Sequence, residues 1–281
     1  MKNNVSCLTL SFIGRHPGYP MERSQWSQYE RANEAFFSPQ DTFAERFESL
    51  VADIQTIGFP AVDVWMSHLN PQWATPAMVA TARAILARRE IAPQSLYGNI
   101  GDDLAQVEAS CRTAKALGCT LLAGDCPALE KQFSQVVELL QQNGLRLAIV
   151  NRMEKTAFAM HARVGGGVPG VVGITLDTGA LAACGYAPEK AIEELADIVL
   201  YVCLRDVRSH GLLQQPCRFG QGMVNLPQCI AALHRVQYFG GIAVSEPSLL
   251  TGPGADLKAS LDMLKAWLKD SPASGSQKNP A

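Results

Sequence analysis

The chain has 281 residues, of which 47% are hydrophobic and 18% charged, with a formal net charge of −2. That length and balance suit one large globular domain with a sizeable core and exclude a disordered chain. The near-neutral charge gives no general attraction to nucleic acid or to an anionic membrane, so neither is an expected partner. No apolar run reaches the length of a membrane span. The eight cysteines form no C-x-x-C pair and no regular framework. They read as reduced core thiols of a cytoplasmic protein, not as disulfides or a zinc finger.

In chain order, Val5 to Ile13 reads as a first strand, since no small-residue cleavage site marks it as a signal segment. Residues 14–40 are rich in proline, aromatic and charged residues without a sustained period. So long a connection in a compact domain is usually functional, and Tyr19, Trp26, Tyr29 and Trp73 are candidates for apolar walls or for packing on the body of the fold. From Thr42 the spacing of Phe43, Phe47, Leu50, Val51 and Ile54 predicts a helix that stops at Gly58. Strands follow at 61–66, 91–96, 119–123, 146–150, 171–177, 198–204 and 241–244. Helices are predicted over 76–89, 102–117, 130–143, 188–195, 226–236 and 256–269.

Eight strand candidates separated mostly by helices point to successive βα units in one parallel sheet. The count and the length favour a single (β/α)8 TIM barrel over residues 1–269. No early G-x-G-x-x-G follows a strand, so an open dinucleotide-binding sheet lacks its phosphate turn. Residues 270–281, rich in Ser, Pro and Gly, read as a disordered tail.

In such a barrel chemistry gathers at the carboxyl ends of the strands. Those ends carry Arg15 and His16, Asp63 and His68, Asp125 and Cys126, Asn151 and Arg152, Asp177, Cys203 with Arg205, Asp206 and His210, and finally Glu246. Asp177, which closes the run VVGITLD before T-G-A, reads either as an acid facing a site or as the N-cap of the next helix. Arg15, Arg152, Arg205, Arg208 and Arg218 all fall on this face, and planar guanidinium forks suit a phosphate or carboxylate. The turn Phe219 to Gly222 offers backbone N–H groups to an anion, or is a plain turn.

The order of short motifs is GFPAVDVW at the second strand, GITLDTGA at the sixth, VCLRD at the seventh, then the loop RFGQGMVN, and YFGGIAVSEP at the eighth. It resembles the xylose isomerase-like TIM barrels, a family of sugar-phosphate isomerases and epimerases that also includes endonuclease-IV-type enzymes. The resemblance runs from Val5 to Leu268. It implies an isomerase or epimerase of a sugar, sugar phosphate or sugar acid, acting by proton transfer next to a carbonyl. It also implies one divalent metal (manganese, magnesium or zinc) and a small, polyhydroxylated, preferably anionic substrate. The family holds its metal with Glu, Asp, His and Glu on the last four strands, and the two glutamates move the proton.

Asp177 and Glu246 match two of those four, as catalytic residues and as metal ligands if a metal is bound. Val150 and Cys203 stand where the first Glu and the His belong, and Ala180 replaces a histidine that commonly follows D-T-G. Valine neither ligates a cation nor accepts a proton. The expected site is therefore Glu246 as general base and Asp177 as ligand or electrostatic partner. Arg152, Arg205, His210, Arg15 and His68 are expected to bind substrate, and Arg152 or Arg205 to neutralise one of the acids where the family uses the cation. The alternative is an inactive or metal-free member that binds a small polyhydroxy ligand. Phosphodiester cleavage would need a cluster of metal-binding histidines and a basic surface, neither of which is evident. Oligomeric state is not readable from the chain.

Overall fold

The computed structural model describes residues 4–210, 213–248 and 250–270, the side chains at 23, 210, 213, 214 and 270 excepted. Eight parallel strands, β1 (Val5–Leu8), β2 (Ala61–Trp65), β3 (Ala92–Asn99), β4 (Leu121–Asp125), β5 (Arg146–Val150), β6 (Val172–Asp177), β7 (Val199–Leu204) and β10 (Ile242–Val244), close into a barrel in that order. A separate antiparallel hairpin, β8 (Asp206–His210) with β9 (Leu213–Cys217), rises from the end of β7.

The helices are α1 (Trp26–Phe37), α2 (Gln40–Ile57), α3 (Pro76–Arg88), α4 (Leu104–Leu117), α5 (Pro127–Lys131), α6 (Phe133–Asn143), α7 (Ala157–Arg163), α8 (Thr178–Ala183), α9 (Pro188–Glu194), α10 (Leu226–Arg235) and α11 (Gly254–Asp270). No helix among the described residues is long and apolar enough to cross a membrane. The expected tail falls outside the described residues, apart from Asp270, which ends α11.

The strands read as nearly continuous apolar runs because both faces are covered. Val62, Val64, Leu122, Leu147, Ile149, Leu176 and Val202 join the large core shared with the helices. Leu8, Leu121, Ala123, Ala148, Tyr201, Cys203 and Ala243 form a separate cluster inside the barrel. Within it one polar knot is buried: the hydroxyls of Ser6, Ser95 and Tyr201 donate to Asp63 at 2.6, 2.6 and 2.5 Å. Burial pushes Asp63 up to about 6 against the pull of those three donors.

Two expectations fail here. Residues 14–40 are not aperiodic, since 26–37 form α1, with Asn33 and Phe37 buried on one face. The first strand ends at Leu8, and Thr9–Phe12 form a 3₁₀ turn that starts the chain across the barrel mouth.

Candidate functional site

The run VGITLD makes a strand buried along its whole length, and it delivers Asp177 to the mouth beside Cys203 of β7. This acid caps the next helix and takes a guanidinium with the same carboxylate. Its Oδ1 accepts the Ala180 N–H at 2.9 Å and so caps α8, while Arg205 reaches it with Nε at 3.1 Å and, on Oδ2, with Nη2 at 2.6 Å. The two-pronged fork is the strong form of a carboxylate–guanidinium pair. Gly179 makes it sterically open, because a Cβ there would lie 2.8 Å from Arg205 Nε. Burial is the largest single influence and opposes the charge of Arg205, but Asp177, Cys203 and Tyr97 together outweigh it, leaving the guanidinium held more firmly charged than usual. Asn151 anchors the same turn, accepting the Asp177 N–H at 2.6 Å and donating to its carbonyl at 3.3 Å.

A second ionic group sits on the rim at the ends of β4 and β5. Asp125 takes Arg152 and, at 2.9 Å, Arg163, whose other arm reaches Glu154 at 3.3 Å. Glu30 of α1 feels the Arg152 charge across the mouth, although burial as the larger effect raises its pKa. Ile13, Met21 and Trp65 form a buried cluster here, against which Leu10, Tyr19, Trp26, Tyr29 and Tyr97 pack. The long first connection is thus an apolar cap on the barrel. Trp73 is not part of it and packs against the large outer core.

Glu246 does not join Asp177. Ala243 pairs with Ser6 and Cys203, which face inward, so strand alternation turns Ser245 toward the axis and Glu246 away from it. Glu246 is 1% exposed, and its Oε2 accepts the Ser260 hydroxyl of α11 at 3.0 Å. Its Oε1 is buried without a partner. Burial, with Asp256 and Asp206 nearby, raises it to about 8 although Ser260 and Arg218 pull it down.

The donors at the mouth do not fit the divalent metal that the resemblance implies. Val150 is apolar, and burial pushes the Cys203 thiol well above its ordinary pKa, away from the thiolate a metal needs. Asp177 is engaged by Arg205, and Glu246 points elsewhere. Among the described residues no three His, Cys, Asp or Glu side chains converge as a ligand set.

The remaining expected residues are dispersed. Arg15 bonds Asp53 at 2.8 Å and Ser49 at 2.7 Å on α2. His68 is buried between Phe37 and Trp65, its Nδ1 3.0 Å from Thr9 Oγ1, and burial pushes it down to about 3. His16 stacks on Phe36 at 3.9 Å. His210 ends β8, and its side chain falls outside the described residues. The 219–222 turn does gather backbone N–H groups around an anion, and the anion is the chain's own Asp206. That carboxylate accepts from Val207, Gly220, Gly222 and Val224 at 2.9 to 3.1 Å. At Gly222 a Cβ would come within 2.1 Å of Asp206 Oδ1.

Tyr97, Glu30, Glu154 and Arg163 were not singled out as site residues from the sequence. For Tyr97 a signal existed, since it lies level with Trp65 at the top of the neighbouring strand. The others depend on how loops cross.

No protein-family model matches the chain, and no curated protein does. Solved structures match nearly end to end. An L-ribulose 3-epimerase aligns over 95% of this chain and 95% of its own, at 15% identity and a TM-score of 0.69. An IOLI protein with a bound zinc atom aligns over 96% and 99%, at 9% identity and a TM-score of 0.69. A D-allulose 3-epimerase from Methylomonas sp., in complex with D-allulose, aligns over 94% and 97%, at 14% identity and a TM-score of 0.65. What is shared at these identities is the backbone: the chain has the fold of the xylose isomerase-like TIM barrels, among which its structural neighbours include sugar epimerases.

Proposed function

We propose that the barrel mouth takes a small polyhydroxy carbonyl compound, or its acid or phosphate, and holds it without a divalent metal. The observation that carries this reading is the fork of Arg205 on Asp177, which supplies the positive charge where the resemblance expects a cation. Arg152 and Arg163 on the rim and Trp65 and Tyr97 beneath the cap provide the mixture of a few aimed polar groups and apolar surface that binds small ligands. Arg152 and Arg163 already pair with Asp125 and Glu154, so an anionic sugar derivative would share these guanidiniums with the rim acids. The solved neighbour holding D-allulose is consistent with a sugar-sized ligand. Eight free thiols fit a reducing, cytoplasmic setting.

Proton transfer next to a carbonyl needs a free base within reach of the C–H bond. Asp177 is already paired, Cys203 is held as a thiol, and Glu246 faces outward. This favours binding without the two-base exchange. The second reading, an active sugar isomerase or epimerase, is favoured by the epimerases among its fold neighbours. Calorimetry with ketohexoses, aldonic acids and sugar phosphates, repeated with chelator and with manganese, separates the two. The proposal expects saturable binding that chelator leaves unchanged, and no exchange of the C–H next to the carbonyl in D2O. Manganese-dependent exchange establishes the second reading instead.

A further inference from the structure

A cavity of about 240 Å³ opens at the amino-terminal end of the barrel, opposite the mouth. It lies between the first residues of β5 and β7, helices α9 and α10, and the turn that leads into β10. At about 30 Å³ per water in the liquid, it has room for a molecule of phenylacetate size. Ile192, Leu200, Leu233, Tyr238 and Phe239 give it an apolar wall, Arg146 brings a positive charge, and no acid lines it among the described residues. Strand alternation sends Arg146 inward, because it lies two residues before Ala148 of the inner cluster. Its guanidinium is half-buried and, among the described residues, makes no ion pair or hydrogen bond. Leu200 leans into the same interior over Gly173 of β6, where a Cβ would lie 2.8 Å from Leu200 Cγ. The far wall is fixed in place. Tyr238 donates to the Gly241 carbonyl at 2.8 Å, and a Cβ at Gly240 would lie 2.3 Å from its hydroxyl oxygen. Gln237 turns the chain there with a φ of 55°, a left-handed conformation uncommon for any residue but glycine. Phe239 stands at the lip, 66% exposed.

We infer that this cavity binds a small apolar monocarboxylate, with the carboxylate on the Arg146 guanidinium and the hydrocarbon part against Leu200, Leu233, Tyr238 and Phe239. Charge and surface agree on that class. A lone guanidinium neutralises a single negative charge, and its planar fork matches a carboxylate. A phosphate would keep a further charge uncompensated, and a sugar would set most of its hydroxyls against hydrocarbon without partners. Acids on the packed elements do not compete for Arg146, because they are engaged elsewhere. Glu193 bonds Arg235 at 2.7 Å, Asp197 lies 3.6 Å from His161, and Glu194 accepts the Tyr186 hydroxyl. The site is independent of the reading proposed for the mouth, since it lies at the other end of the barrel and shares no residue with the Asp177–Arg205 pair or the rim.

Titration calorimetry of the full chain with sodium phenylacetate tests the proposal, with phenylacetamide as the uncharged control and sodium acetate as the control without an apolar part. Phenylacetate is expected to bind saturably at one site per chain, and each control at least about tenfold more weakly, a difference of about 1.4 kcal/mol. Arg146→Gln should weaken phenylacetate by a similar factor, and Arg146→Lys by less. Ala196→Phe, at an exposed position on the wall, should fill the cavity and block binding. Replacing Arg146 breaks no ion pair or hydrogen bond of its guanidinium among the described residues, and melting curves of each variant exclude loss of fold as the cause. Absence of saturable phenylacetate binding overturns the proposal, as does phenylacetamide or acetate binding equally well. Undiminished binding in Arg146→Gln or in Ala196→Phe overturns it too. So does binding abolished by Arg152→Gln alone, which would put the acid in the mouth.

Discussion

The pair at the centre of the mouth is asymmetric in a way that single substitutions expose. The Asp177 side chain is 6% exposed and that of Arg205 is 24%, so the acid suffers more when its partner goes. Breaking a buried pair by removing one side costs about 3–5 kcal/mol. Arg205→Ala is expected near the lower end, because the Ala180 N–H still serves Asp177. Asp177→Asn should cost clearly less, since Arg205 can turn toward water and asparagine still caps α8. Urea unfolding of the two variants and their double mutant measures this; an Arg205→Ala loss no larger than that of Asp177→Asn would show that the pair is not what stabilises the buried acid.

Asp206 governs the element next to that pair. It ties β8 to residues 220–224 through three backbone N–H groups and also accepts that of Val207, and Asp206→Ala leaves all four without their acceptor. With buried unsatisfied groups at about 1–3 kcal/mol each, the hairpin and its turn should open locally before the barrel does. Hydrogen exchange is expected to rise over the turn while β5 and β6 stay protected, and unchanged exchange at 220, 222 and 224 would contradict this role. The strands themselves were legible in the sequence because a strand covered on both faces is an uninterrupted apolar run: Arg146–Val150 agrees end for end, and the others, apart from the overlong first, lie within a few residues. The hairpin was not, because β9 contains Pro216 among glutamines and lacks alternation. Helix α1 was missed although Trp26, Tyr29 and Asn33 recur at helical spacing, since the prolines and charges before it hid the period. At the site, the strand that presents Asp177 could be read. That Glu246 turns outward just past the end of β10 could not, because a one-residue difference in register exchanges Ser245 for Glu246 and leaves the motif unaltered.

For the whole molecule, the buried Asp63 knot sets a pH dependence. Its rise from 3.8 to about 6 means the folded chain keeps a proton that the unfolded chain releases. The contribution is therefore full below about pH 4 and is lost as pH rises to about 6, by roughly 3 kcal/mol. In urea midpoints measured against pH, Asp63→Asn should lack this fall, and a wild-type curve parallel to that of Asp63→Asn would contradict it. The same barrel carries its open end closed by an aromatic cap and its central acid closed by an arginine, which takes the place of a cation there. The most direct measurement is titration of purified, chelator-treated protein with manganese, followed by calorimetry. No stoichiometric uptake is expected in the wild type. One manganese bound per chain at micromolar affinity, and lost in Asp177→Asn, would contradict it.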